Sequence, residues 1–231
     1  MVWSGGRNPR DVWALARRQH GVVARHQLID AGLSRRAIEH RLRKGRLHPV
    51  GHRDRTWRGV YAVGRPELTE RGVLMAAVLF AGSRAVLSHE SAAQLWEIRH
   101  IRSSSIEVTV PARGRHPVGL RVHRRTHLPA DDRSIREGIP LTSPTRTLID
   151  LATCLGPRPL EAAVNEADKL DLIDPESLRG ALERRSGMRG VARLRSVLDR
   201  RTFVLTDSEL ERRFLRLALR AGRRSLGPAC T

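Results

Sequence analysis

The amino-acid sequence predicts an α+β protein with an N-terminal winged helix-turn-helix, a mixed α/β middle domain and a helical C-terminal part. Three observations carry this expectation. Two short amphipathic helical segments between residues 25 and 44, split by a glycine-containing turn, are followed by two β-rich runs. Two alternating runs, 106–110 and 119–124, lie among helical segments in the middle of the chain. After Ser143, several capped segments repeat apolar residues at helical spacing.

Residues 11–20 read as the first helix, with Val12, Leu15 and Ala16 on one side. Val22, Val23 and Ala24 form a short apolar run before a helix at 25–31. Gly32 can take the positive φ that ends that helix, and Ser34 can cap the next. The second helix, 35–44, puts Ile38 and Leu42 on one face and Arg36, His40 and Arg43 on roughly the opposite one. Runs 47–50 and 57–63 make a hairpin, the wing, and the polar stretch 51–56 is expected to be a loop at its tip.

Charge gathers in the same place. Residues 1–65 hold fifteen Arg or Lys against four Asp or Glu, a net +11 of the chain's +19. A duplex phosphate backbone rewards such clustering through counterion release. The only lysines are Lys44 and Lys169. Arg-for-Lys usage of this kind fits a GC-rich genome, but it does not by itself create net charge. The residues expected at DNA are Arg25, Ser34, Arg35, Arg36, His40, Arg43, Lys44, Arg46, Arg53, Arg55 and Arg58. His20 and His26 are likewise expected to face phosphate or solvent.

The second region opens at Arg65-Pro66. Residues 67–81 are helical, 85–87 make a short strand, and Ser88 caps a helix at 89–96. The alternating runs 106–110 and 119–124 make a plausible hairpin, and 135–141 adds a further strand. In the third region, Ser143 caps a helix with Pro144 at its first position. Helices follow at 159–170, from Asp174-Pro175 to about 185, at 190–200 and, capped by Asp207, at 208–221 with Leu210, Phe214 and Leu217 on one stripe. The expected divisions are 1–65, 66–142, 143–205 and 206–231.

Other chemistries find little support. No stretch reaches the roughly 18 apolar residues of a membrane span, and the first residues lack the apolar run of a secretory signal. A cytoplasmic, reduced protein without membrane association is expected. Cys154 and Cys230 are far apart, and Cys154, in an apolar helical run, reads as a buried small hydrophobe. Ser88-His89-Glu90 looks catalytic on paper, but neighbours on a helix point in different directions, so Ser88 is better read as a cap and His89 as structural or partner-facing. There is no HExxH motif, and His116, His123 and His127 read as part of a solvated basic hairpin rather than as metal ligands. Asp150 is expected to pair with Arg146 one helical turn before it. No glycine-rich phosphate loop occurs. No catalytic residue, metal site or cofactor is expected.

Four segments in order, GVVARHQLIDAGLSRRAIEHRLRKGRLHPV, RGVYAVG, AVLSHESAAQLW and PLTSPTRTLIDLA, resemble actinobacterial proteins that carry an AbiEi-type antitoxin winged helix at their N-terminus. The resemblance covers most of residues 10–221. It implies double-stranded DNA as a partner and, by its antitoxin character, a cognate nucleotidyltransferase-type toxin. The stretch TDSELERRFLRLALRAG, 206–222, is similar to the leading helix of a very-short-patch-repair-type endonuclease domain. In that family the helix runs into strands whose carboxylates hold Mg²⁺. Here RRSLGPACT follows, and Glu209 and Glu211, two apart on a helix, face apart. A frame shift near Ala221 or a natural short form would each explain this, and either way nuclease chemistry is expected to be lost and the tail to be disordered. The function expected is sequence-specific DNA binding with operon autoregulation and no enzymatic activity. The alternatives are a truncated, inactive member of the PD-(D/E)XK endonucleases, or a protein-interaction module with an incidental basic surface.

Overall fold

The computed structural model describes residues 9–52, 55–100, 105–111 and 119–199. Among them the order of elements is α1 (Pro9–Arg18), β1 (Val22–Ala24), α2 (Arg25–Asp30), α3 (Arg35–Arg43), β2 (Leu47–His52) and β3 (Arg55–Val63) in an N-terminal unit. Then come α4 (Glu70–Ala81), β4 (Val86–Leu87), α5 (His89–Leu95), β5 (Ile106–Val110), β6 (Leu120–Arg124), β7 (Arg133–Arg136), β8 (Ile139–Thr142), α6 (Pro144–Leu151), α7 (Pro157–Lys169), α8 (Pro175–Glu183) and α9 (Val191–Asp199) in a larger body.

In the N-terminal unit, β3 is the central strand of an antiparallel sheet ordered β1-β3-β2. Pro49 is tolerated because β2 is an edge, where a missing N–H costs no ladder bond. One side of the unit closes on its own core of Val12, Ala16, Val23, Leu28, Leu33, Ile38, Leu47 and Tyr61. The amides of Gln19 and Gln27 bond to each other at 3.0 and 2.8 Å, and Gln27 also accepts the Ala24 N–H, which fixes α1 against the start of α2. Val22, Val50, Trp57, Val60 and Ala62 instead join the core of the body. Trp57 is fully buried and stacks on Phe80 of α4 at 5.9 Å between ring centres.

The body contains a five-stranded mixed sheet ordered β6-β5-β4-β8-β7. Helix α4 touches strands of both sheets. Accordingly Leu74, Met75, Ala76, Ala77 and Val78, which point all round it, are buried. Helix α6 packs against α5, α7 and α9. Gly190 allows that last contact: a Cβ there would lie 2.4 Å from the Ile149 carbonyl oxygen, and its φ of +94° suits glycine.

Most helices lie within a few residues of where the sequence puts them, but three expectations are corrected. β5 and β6 do not form a hairpin. They run parallel, with Glu107 opposite Arg121 and Thr109 opposite His123. The stretch 51–56 is not all loop: Gly51 pairs with Thr56 and His52 with Arg55, so the ladder continues past a register shift after Pro49. Cys154 is exposed. It lies beyond the end of α6, where Leu148, Ile149, Leu151 and Ala152 already fill the buried side. No helix among the described residues is long and apolar enough to cross a membrane.

Candidate functional site

Two concentrations of polar chemistry stand out, one on the surface of the N-terminal unit and one inside the body. On the surface, α2 ends where Gly32 takes φ +88° and returns its N–H to the Ile29 carbonyl at 2.8 Å. Ser34 then starts α3 by accepting the Ala37 N–H at 3.2 Å. Ile38 and Leu42 face the unit's core. Ser34, Arg35, Arg36, His40, Arg43, Lys44, Arg46 and Arg58 are exposed, and Arg25 is half-buried at the start of α2. None of these cations forms an ion pair among the described residues, so their charge is available to an outside anion. Arg55 is placed at the start of β3 by its backbone. Arg53 lies outside the described residues.

Inside the body, a chain of charges runs through α6. The Asp150 Oδ1 accepts from Arg146 Nη2 at 2.7 Å, Arg146 Nε at 3.1 Å and Arg125 Nη2 at 2.8 Å. Arg146 Nη1 reaches Asp132 Oδ2 at 3.5 Å, and Asp132 Oδ1 accepts from Arg185 Nη2 at 2.7 Å. Arg146 is 1% exposed and both aspartates 0%. Charges so placed persist only because each is matched. The expected Arg146–Asp150 pair is therefore present, and three further groups extend it. Burial pushes the Arg125 guanidinium below its ordinary value, while Asp150 opposes the shift.

Beside this chain lie His89, Glu107 and His123. Their ligand atoms all fall within 4.8 Å of one another. The two imidazoles stack with centres 3.6 Å apart and planes 17° from parallel. Ser88 occupies the N-cap of α5, but its side chain does not cap. Its Oγ sits 3.1 Å from His89 Nδ1. His89 has a φ of +51°, which turns the first residue out of the helical path. The cap comes instead from Glu107, whose Oε2 accepts the Glu90 N–H at 2.8 Å. The expectation that Ser88 caps this helix is thus corrected. A fixed carboxylate on the neighbouring strand reaches the free amide better than a hydroxyl pulled toward its own neighbour. Burial lowers the His89 pKa to about 4, partly opposed by Asp150, so the ring is neutral. Burial pushes Glu107 up, but hydrogen bonds from His123 and the Glu90 N–H outweigh it and hold the carboxyl below its ordinary range.

The reading of His123 as part of a solvated strand is also corrected: its side chain is only 28% exposed and lies 3.3 Å from Glu107 Oε1. His20 is partly exposed. Its Nε2 meets the Glu137 carbonyl oxygen at 2.7 Å, across to the body. His26 is exposed. His116 and the segment 206–231, with the endonuclease-like helix, lie outside the described residues. Glu107 escaped sequence reasoning altogether. The signal that could have found it is a carboxylate inside the otherwise uncharged strand text IEVTV, all five residues of which are buried.

Residues 84–200, just over half of the 231, match the family model described as AbiEi antitoxin C-terminal domain. The match falls on the body and not on the helix-turn-helix segment. Among solved structures, the chain is similar to the crystal structure of the RV2827C protein from Mycobacterium tuberculosis. Identity is 22%, the alignment covers 89% of this chain and 87% of that one, and the TM-score is 0.45. No curated protein matches the chain significantly.

Proposed function

The chain belongs to the AbiEi antitoxin family through its C-terminal domain, and we propose that it is a DNA-binding, antitoxin-like regulator that represses its own operon. The observation that carries this reading is the surface of α3. One stripe is committed to the core through Ile38, and the rest presents Arg35, Arg36, His40 and Arg43, exposed and without ion pairs among the described residues. A short helix of that kind, capped at Ser34 and followed by the β2–β3 hairpin as a wing, fits a major groove, with Arg36 or Arg43 placed for a guanine edge. Arg25, Ser34, Lys44, Arg46 and Arg58 surround it and fit phosphate contacts, which fix register rather than sequence; Arg55, at the start of β3, and Arg53, outside the described residues, are assigned the same role. The division of labour follows: the N-terminal 65 residues read DNA, and the family domain of the body engages a nucleotidyltransferase-type toxin.

The test is a mobility shift on the duplex upstream of the protein's own gene, with unrelated duplex of equal length as competitor. Binding that survives excess competitor supports the reading. Equal displacement by both duplexes, or no shift at about 100 mM salt, where phosphate-driven binding is still strong, overturns it.

A further inference from the structure

We propose that His89, Glu107 and His123 form a binding site for one divalent transition-metal ion of the zinc type, with a fourth coordination position left for water or a further oxygen ligand. The site stands on three elements that only the folded body brings together. Glu107 comes from β5, His123 from the parallel neighbour β6, and His89 from the first turn of α5. Two imidazoles and a carboxylate are a donor set that zinc accepts, leaving a tetrahedral position open.

The spacing favours an ion over an ordinary ion pair. His123 Nε2 stands 3.3 Å from Glu107 Oε1, and Arg121 Nη1 stands 3.4 Å from the same oxygen. Charge-assisted bonds between such groups close to about 2.7–2.9 Å. Two ligands held at about 2.0–2.1 Å from one tetrahedral zinc, by contrast, lie roughly 3.3 Å apart. The orientation of the ligands is also fixed from outside. Glu107 Oε2 is tied to the Glu90 N–H, so Oε1 turns toward the histidines. Ser88 Oγ holds His89 Nδ1, which frees Nε2 as the donor. Outer partners of this kind are what orient metal ligands. The unusual backbone of His89, in the left-handed region at φ +51°, brings its ring over His123, and binding an ion requires both imidazoles to turn out of this stack, because each lone pair lies in its ring plane.

Two further observations point to a ligand. Asp150 Oδ2 and Thr109 Oγ1 are buried with no hydrogen-bond partner among the described residues, and Thr109 sits directly opposite His123 in the ladder. Asp150 is close enough for its charge to act on His89. His123 is 28% exposed, which gives an ion a way in from solvent. Arg121, 66% exposed, can swing off Glu107 when an ion takes its place. The bound ion would fasten the edge strand β6 to α5.

The experiment uses untagged full-length protein, stripped with chelator and dialysed. Titration with Co²⁺ is expected to give a visible d–d absorption band saturating at one equivalent and displaced by Zn²⁺. Zn²⁺, but not Mg²⁺, is expected to raise the melting temperature, since an ion bound only by the folded state stabilises it. His123→Phe keeps a stacking ring and removes the donor. It is expected to weaken Co²⁺ binding by more than about tenfold, while exposed His127→Ala leaves it unchanged. The proposal is overturned by wild-type protein that shows neither band nor Zn²⁺-dependent shift, or by His123→Phe binding as wild type does. If His123→Phe does not fold by circular dichroism, His123→Gln takes its place under the same criteria.

Discussion

In α3, Arg35, Arg36 and Arg43 stand exposed with no ion pair among the described residues, whereas in α6 Arg146 is sealed between Asp132 and Asp150 at 1% exposure. The side chain is the same and the two uses are opposite. Outside, an unmatched guanidinium keeps its charge for a partner and contributes little to folding. Inside, a guanidinium cannot stay unmatched, so its charge goes entirely to other residues of the chain. The net charge of +19 therefore says less about partners than where each arginine sits.

The contrast breaks most sharply at Arg146. Arg146→Ala strips Asp150 of two of the three hydrogen bonds its Oδ1 accepts, and Asp132 of one partner. Leaving buried carboxylates uncompensated is expected to cost about 3–5 kcal/mol in urea unfolding. A loss under about 1 kcal/mol would mean that water reaches the chain of charges and that the two regions are not so different.

Salt tests the same difference from the other side. If α3 and its neighbours neutralise six phosphates, log K falls with log salt at about −0.9 per contact, roughly a thousandfold between about 50 and 200 mM. The body's unfolding free energy should hardly move over that range, because buried pairs are screened far less than exposed ones. A flat binding curve would remove DNA from the reading of α3.

At single residues the effect is smaller. Arg36→Ala and Arg43→Ala are each expected to weaken operator binding by about 1–3 kcal/mol if they read base edges. Both should leave stability within about 0.5 kcal/mol, as exposed sites do. Fluorescence anisotropy and thermal melting on the same samples separate the two outcomes. A variant that loses stability along with affinity would show that the face is structural.

Features set by neighbours in the chain were legible in the sequence. Ser34 and Ser143 cap the helices assigned to them because capping reads three residues ahead, and the helix expected to open at Asp174-Pro175 is capped by Asp174 in the same way. Arg146 and Asp150, one turn apart, were legible for the same reason. What failed depends on distant partners. Alternation in 106–110 and 120–124 reveals two strands but not that they run parallel, since direction is decided by where the link returns the chain. Asp132 and Arg185 join the chain of charges from 53 residues apart. The histidine–carboxylate cluster has no local spacing at all, because β5 and β6 bring together residues 16 apart, and α5 adds a third from before them.

The weakest contact tested lies within the body, beside its junction with the N-terminal unit. Arg71 of α4 forks onto Glu137 at 2.9 and 3.0 Å, while the Glu137 carbonyl oxygen meets His20 of the N-terminal unit. Glu137 and Gly138 form the two-residue turn between β7 and β8, with φ of +51° and +79°, as a type I′ hairpin requires. Glu137→Gln keeps the backbone contact and removes the charge. Because both side chains are about one-third or more exposed, the expected loss is only about 0.2–1 kcal/mol, and it should fade at high salt. The pH dependence has a definite sign. The hydrogen bond from Arg71 holds the Glu137 carboxyl below its ordinary value of 4.5, so the unfolded chain takes up a proton first. The pair's contribution is present in full above about 4.5 and disappears as pH falls through the lower folded value. Wild type and Glu137→Gln should therefore differ at neutral pH and converge in acid. A gap that widens as pH falls would show that Glu137 acts through the turn and not through its charge.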